Sequence, residues 1–328
     1  MNWINRKIDN PNIERLTRYK LPIITNIEQL IEILQISEEQ EKIFFYNKNR
    51  KKYLYRIVKI PKRTGGVRTL EIPIQQLKVI QKAINNVILS KFNITKEANA
   101  YIKKRSIVTN ALPHVGAKTL IKIDIKDFFP SINFKHVYGQ FRYFGYGECV
   151  SKYLTLLCVD GNLKLPQGAP TSPTLSNLVC VFMDSRIKGY CTKHNYTYTR
   201  YADDITISST KKLNILLIKL IKEFIFKVLK DLDFEPNEEK FKCFYNGNKL
   251  QVTGIIVNNK LSVPKEKIRE LDNAIRYIDK YGLISHTEYL KVDKKTYISH
   301  LYGLANYIKM INKEKGEFYL KKLNKLNL

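Results

Sequence analysis

Apolar positions along this chain recur with two periods, one near 3.6 residues and one of two. The longest helical stripe is Leu213, Leu216, Leu217, Leu220, Ile221, Phe224, Ile225, Val228, Leu229 and Leu232, with lysines mostly on the other face. It predicts a helix from about Leu213 to Leu232 that covers the back of a sheet and is core, not a partner site. Ile27, Leu30, Ile31 and Leu34, with Ile23 and Ile24 before them, predict an N-terminal helical region. Leu77, Ile80, Ile84, Val87 and Ile88 predict another helix, and Leu175, Leu178, Val179, Phe182 and Met183 a third after Pro173. Pro264 opens a stripe of Ile268, Leu271, Ile275 and Ile278 that stops near Gly282. A last helical pair covers roughly 295 to 325. The two-residue period appears at Tyr196–Arg200 and Ile205–Ser208, a strand begins at Ile121, and residues 51 to 73 read as a two-stranded hairpin.

Between two of those strands lies Tyr201-Ala202-Asp203-Asp204, a hairpin with acids at its tip. Two carboxylates so close repel by roughly 1 to 4 kcal/mol at ~4 Å, and a bound divalent cation reverses that sign. A solvated Asp-Asp turn is the plain alternative for these four residues. Asp124 adds a third acid at the end of the Ile121 strand. Three carboxylates from two strands suit a site that holds two hard cations for nucleotide addition, one at an attacking hydroxyl and one at a leaving pyrophosphate. Phe129, five residues on, could wall a sugar site and exclude a 2′-hydroxyl; one of Phe128 and Phe129 is expected to be core. In Leu165-Pro166-Gln167-Gly168-Ala169-Pro170-Thr171-Ser172-Pro173, Gly168 lets the backbone approach a ligand and Gln167 offers an amide to a base or sugar. Taken alone, such a loop before a helix reads as structural.

In order and spacing these pieces resemble the palm motifs of reverse transcriptases of the right-hand polymerase kind. Asn237-Glu238-Glu239-Lys240 resembles the Asn-x-x-Lys that follows the palm helix, and Ile60-Pro61-Lys62-Arg63-Thr64-Gly65-Gly66-Val67-Arg68 resembles the basic fingers hairpin over the incoming triphosphate. Asn110-Ala111-Leu112-Pro113-His114 and Val252-Thr253-Gly254 match elements of bacterial retron reverse transcriptases, and Gly303-Leu304-Ala305-Asn306-Tyr307 resembles their thumb helix. The likeness runs from about residue 20 to about 312.

The resemblance implies an α+β chain in which 1–50 form an N-terminal helical region and 51–115 the fingers. A palm of antiparallel sheet backed by helices follows at 116–260, with a finger-like insertion at about 130–165, then a helical thumb at 261–328. It implies catalysis by Asp124, Asp203 and Asp204, which with the Ile125 carbonyl would bind two Mg²⁺. Lys62, Arg68, Phe129, Gln167 and Gly168 would form the nucleotide site, and Tyr201 and Lys240 would support primer and duplex. Asn110, His114, Val252, Thr253 and Gly254 would bind RNA, against a structural account in which they are a cap, a buried side chain and a bend. The implied activity is RNA-directed DNA synthesis from deoxynucleoside triphosphates on a dedicated structured noncoding RNA, self-primed from an RNA 2′-hydroxyl, leaving an RNA–DNA hybrid. A defence effector protein is the further partner implied, in protection against phage. Two alternatives stand beside this reading. One is another intron-like bacterial reverse transcriptase using generic primers; the other is an RNA-binding scaffold or antitoxin core with incidental polymerase activity.

Charge agrees with a polyanion partner: the formal net charge is +27 over 328 residues, with pI near 9.7, spread throughout the chain. The five cysteines form no Cys-x-x-Cys pair and the five histidines show no metal-binding spacing, which fits reduced thiols in the cytoplasm. No signal peptide or membrane span is expected. No ribonuclease H domain is expected after the thumb, so removal of template RNA falls to another enzyme.

Overall fold

The structure is a computed structural model that describes residues 9–45, 52–61 and 65–326. Its centre is an antiparallel sheet of strands β3 (Thr119–Asp124), β4 (Thr197–Tyr201), β5 (Asp204–Ser209) and β6 (Lys242–Tyr245), in the order β4-β5-β3-β6. β3 is buried along almost its whole length, because helices cover one face of the sheet and neighbouring strands both its edges. A separate hairpin pairs β1 (Tyr55–Pro61) with β2 (Val67–Pro73), closed by a turn that uses Gly65 and Gly66 at positive φ. The hairpin is tied to the Gln167 loop: the Glu71 N–H donates to the Gln167 carbonyl at 2.9 Å. Gly168 sits beneath it at φ 133°, where a Cβ would come within 3.1 Å of the Glu71 carbonyl oxygen.

The main core joins the helices Gln75–Val87, Phe134–Phe144, Glu148–Cys158, Ser172–Val179 and Val181–Lys193 to the sheet. The periodic stripes mark Gln75–Val87 and, as one helix, the stretch that the structure divides into Ser172–Val179 and Val181–Lys193; the N-terminal helical region holds Ile13–Arg18, Ile27–Ile33 and Glu38–Glu41, and no stripe marks Leu283–Leu290. Helices Lys265–Tyr281, Leu283–Leu290, Lys294–Ile311 and Lys313–Lys325 pack round a second core of their own.

The long predicted helix runs from Ile215 to Lys230, and the expectation that its stripe is all core needs correction. Ile221, Ile225, Phe226, Val228 and Leu229 are buried, but Ile215, Leu216 and Leu220 are 80%, 71% and 55% exposed. The apolar stripe is wider than the face that packs, so the first turns of the helix keep hydrophobic side chains in solvent.

A third, small core explains two motifs at once. Ala111, Ala117, Leu120, Leu250, Val252, Ile255 and Val257 cluster there, with Ile311 of the C-terminal helices against them. It unites the Asn110–His114 segment with the Val252-Thr253-Gly254 turn: Thr253 Oγ1 donates to the Ile107 carbonyl at 3.1 Å, and Gly116 N–H to the Val257 carbonyl at 3.0 Å. Across the joint the Tyr307 hydroxyl donates to the Gly254 carbonyl at 2.8 Å.

Candidate active site

Register brings the acids together. Asp124 of β3 and Asp204 of β5 are direct cross-strand partners, and Tyr201 pairs with Asp204, leaving Ala202-Asp203 as a two-residue turn. Side chains so paired have Cβ atoms about 4.5–5.5 Å apart, and like charges there destabilise. The backbone closes around them: the Ile125 N–H donates to the Asp203 carbonyl at 3.2 Å, and the Asn237 N–H to the Asp124 carbonyl at 2.8 Å.

The electrostatics follow from this crowding. Burial, then the charges of Asp204 and Asp124, push the Asp203 carboxyl up to about 6. Burial also raises Asp204, with the Lys122 ammonium pulling the other way. Lys240, expected as primer or duplex support, stands at the acids themselves: its ammonium is 2.9 and 3.1 Å from the two oxygens of Asp124. Asn237 Nδ2 donates to the same carboxylate at 3.2 Å. The single turn Glu238–Lys240 thus delivers both ends of Asn-x-x-Lys to one acid. Among the described residues no three acidic, His or Cys side chains are closed into a ready metal-ligand group; the cation on Asp124 in this structure is the lysine.

The turn is held by groups that the sequence reading missed. Ala202 is left-handed at φ 57°, a conformation costing roughly 1–2 kcal/mol for a residue with a Cβ. Arg200, fully buried, donates from Nη1 to the Ala202 carbonyl at 3.1 Å and to Asn177 Oδ1 at 3.1 Å. Its other nitrogens grip Asp184, also fully buried, through Nε–Oδ1 at 2.7 Å and Nη2–Oδ2 at 2.8 Å. An arginine in the alternating run Tyr196–Arg200 was the available signal, since a charge on a buried strand demands a buried partner.

The remaining predicted residues divide. Phe128 is core, as one of the pair was expected to be, and Phe129 is partly exposed, its ring 5.4 Å from that of Phe128 and 6.0 Å from that of Tyr101. Arg68 is exposed on β2, and its charge reaches Tyr101. Gln167 and Gly168 are fixed to β2 rather than hydrogen-bonded to the acids. Lys62 lies outside the described residues.

Three residues of the two retron-type elements are shut away from solvent. Asn110, His114 and Val252 are at most 1% exposed. His114 bridges the sheet, Nδ1 to Ser208 Oγ at 2.7 Å and Nε2 to Thr199 Oγ1 at 2.8 Å, and burial lowers its pKa to about 3. Thr253 and Gly254 are partly exposed but spend their polar groups on Ile107 and Tyr307. The contacts of His114, Thr253 and Gly254 support the structural account, whereas the Asn110 side-chain amide is buried with no hydrogen-bond partner among the described residues, and its backbone carbonyl accepts from Thr199 Oγ1 at 3.3 Å.

Residues 60–322 match the family described as reverse transcriptase (RNA-dependent DNA polymerase). The Retron Ec86 reverse transcriptase of Escherichia coli is 32% identical over 95% of this chain and 97% of its own length. The chain belongs to the retron reverse transcriptases. It is an RNA-directed DNA polymerase. The Retron Mx65 reverse transcriptase of Myxococcus xanthus is also 32% identical, over 94% of this chain and 73% of that protein. Among solved structures, telomerase from Candida albicans is similar with a TM-score of 0.47 and 11% identity, over 83% of this chain and 63% of that one. No helix among the described residues of this retron reverse transcriptase is long and apolar enough to cross a membrane.

Proposed function

We propose that this retron reverse transcriptase copies a dedicated structured noncoding RNA into DNA, starting from a 2′-hydroxyl of that RNA, with Asp124, Asp203 and Asp204 as its catalytic acids. The observation that carries the catalytic part is the pairing of Asp124 with Asp204 beside an Asp203 raised to about 6. Such a cluster is self-repelling, and its donors are all hard oxygens, which fits a pair of Mg²⁺ ions. The three acids, with the Ile125 carbonyl, would hold the ions, which when bound supply charge neutralisation at the attacking hydroxyl and the leaving pyrophosphate. Arg68 and Lys62 would neutralise the triphosphate. Phe129 would occupy the space of a ribose 2′-hydroxyl and so select deoxynucleotides. Gln167 and Gly168 would line the nucleotide site, and Tyr201 would support the primer end. In the free protein Lys240 keeps the Asp124 carboxylate neutralised and oriented.

The surrounding positive charge suits a grip on an A-form RNA–DNA duplex through phosphates and shape. The reading extends to the cytoplasm and to action with an effector protein in defence against phage, on the strength of the family resemblance. The test is reconstitution: purified protein, RNA transcribed from the DNA flanking its gene, labelled deoxynucleotides and Mg²⁺. The expected product is DNA joined covalently to RNA and released by a nuclease specific for 2′–5′ branches. If DNA forms only from annealed primers, the self-primed reading fails and a generic reverse transcriptase stands.

A further inference from the structure

Tyr101 is a bulky aromatic held where an aromatic is costly. Its backbone is left-handed, φ 63°, a region that penalises every residue with a Cβ. Its side chain is 52% exposed, so burial only partly offsets the strain. The chain beneath it is tied down on several sides. Asn99 N–H donates to the Arg200 carbonyl and Arg200 N–H to the Glu97 carbonyl, both at 2.8 Å, so this segment lies along β4 beside the turn that carries Asp203. Asn177 Nδ2 donates to the Ala100 carbonyl at 2.9 Å, and the Arg105 guanidinium holds the carbonyls of Thr95 and Ala98.

What surrounds the ring is specific. Phe129 lies 6.0 Å away, centroid to centroid, inclined at 54°. Burial first, then the charges of Asp203 and Tyr201, hold the Tyr101 hydroxyl above its usual pKa, and Arg68 pulls it down. An aromatic ring thus lies beside one strained, exposed tyrosine, and the charges of Asp203 and Arg68 bear on its hydroxyl. Strain that the surrounding structure over-determines is a mark of function.

We infer that Tyr101 contacts the incoming nucleotide: its ring and that of Phe129 form two walls of a slot for the base-and-sugar end, with the triphosphate toward Arg68. The inference rests on the polymerase reading above. A ring face stacks on every base alike, as copying of arbitrary template positions requires, and a guanidinium recognises phosphate through charge-assisted hydrogen bonds. Composition could not reveal this residue, because nothing in the stretch Ala100-Tyr101-Ile102-Lys103 is periodic.

The test is steady-state extension of a DNA primer on an RNA template by the full chain, varying deoxynucleotide and then primer–template. Tyr101→Ala is expected to raise the deoxynucleotide KM roughly tenfold, within the range for loss of base–aromatic stacking, with the primer–template KM and the melting temperature unchanged. Tyr101→Phe keeps the ring and should restore the low KM. Tyr101→Gly relieves the backbone strain, so it should give the same KM rise with a melting temperature equal to or above that of the parent. An unmoved deoxynucleotide KM in Tyr101→Ala, or a shift in the primer–template KM alone, would overturn the assignment. So would parallel losses in both KM values and melting temperature, which mark a structural tyrosine. If the parent makes DNA neither from an annealed primer nor on its cognate RNA, the polymerase reading itself falls and this inference with it; an active parent beside an indifferent Tyr101→Ala overturns the inference alone.

Discussion

Asp184→Asn should be among the most damaging single substitutions outside the acid cluster. Asp184 is fully buried and accepts from Arg200 Nε at 2.7 Å, Arg200 Nη2 at 2.8 Å, the Tyr198 hydroxyl at 2.7 Å and Thr95 Oγ1 at 2.7 Å. The amide keeps the shape but removes the charge that balances Arg200, which has no solvent to turn to. Leaving one partner of a buried pair uncompensated costs about 3–5 kcal/mol, a large share of a total stability of roughly 5–15 kcal/mol. That corresponds to a fall in Tm of roughly 4–7 °C for a chain of 328 residues, at about 2.1 cal/mol/K of unfolding entropy per residue. The same arginine holds the Ala202 carbonyl, so extension rate should drop more than RNA affinity. Thermal unfolding followed by circular dichroism at pH 7.5 measures the first effect. Arg186→Ala is the control: its pair with Asp231 is 2.8 Å long but partly solvated, so it should cost under about 1 kcal/mol. The double change Arg200→Met with Asp184→Leu should not recover the loss, since the Tyr198 hydroxyl, Thr95 Oγ1, Asn177 Oδ1 and the Ala202 carbonyl would all lose their partners. A Tm for Asp184→Asn within about 2 °C of the parent would refute the reasoning.

Three further outcomes follow from the site. His114 has a folded pKa of about 3 against roughly 6.5 when unfolded, so the unfolded chain takes up the proton and stability falls as pH drops from about 6.5 toward 3; His114→Gln should flatten that acid limb in urea titrations, and Asn110→Ala with His114→Ala should lower Tm and reduce generic and self-primed synthesis equally, whereas selective loss of self-primed synthesis would restore an RNA-reading role. Asp203 is raised to about 6, so in metal-free protein its cost grows as pH rises from about 4 to about 6; Asp203→Asn should therefore raise the metal-free Tm at pH 7.5, and Mg²⁺ added to the parent at pH 6 should release about half a proton, an absence of release arguing against metal binding at these acids. Phe129→Ala should narrow the preference for deoxy- over ribonucleotides, compared by matched incorporation rates; an unchanged ratio in an active enzyme would make Phe129 packing only.

Much of the site was legible because the sequence carries it in local strings. Tyr201-Ala202-Asp203-Asp204 declares both a turn and its acids, and Asp124 ends a strand whose alternation points to the same sheet; antiparallel register did the rest. What stayed hidden depends on contacts between distant segments. Arg200 and Asp184 read separately as a strand residue and a helix residue, and only packing shows that they neutralise each other. Lys240 was visible as a motif, but not its placement on Asp124. The Asn110–His114 and Val252–Gly254 elements stood out by their resemblance to retron motifs, which says nothing of where a side chain faces; His114 turns to sheet hydroxyls and Gly254 to Tyr307. The stripe from Leu213 misled in the opposite sense, since periodicity reports an apolar face without reporting how far its cover extends.

Extension of a labelled primer on an RNA template by Asp203→Asn, measured beside RNA affinity, bears most directly on the claim that the paired acids are the catalytic centre. The amide preserves the turn and removes one negative charge from the cluster. Changing groups that merely orient metal ligands costs 10–100-fold, so loss of a ligand itself should cut extension by about 100-fold or more, with RNA binding within about twofold of the parent because phosphate contacts carry it. Extension near the parental rate, with RNA binding intact, would contradict the assignment of Asp124, Asp203 and Asp204.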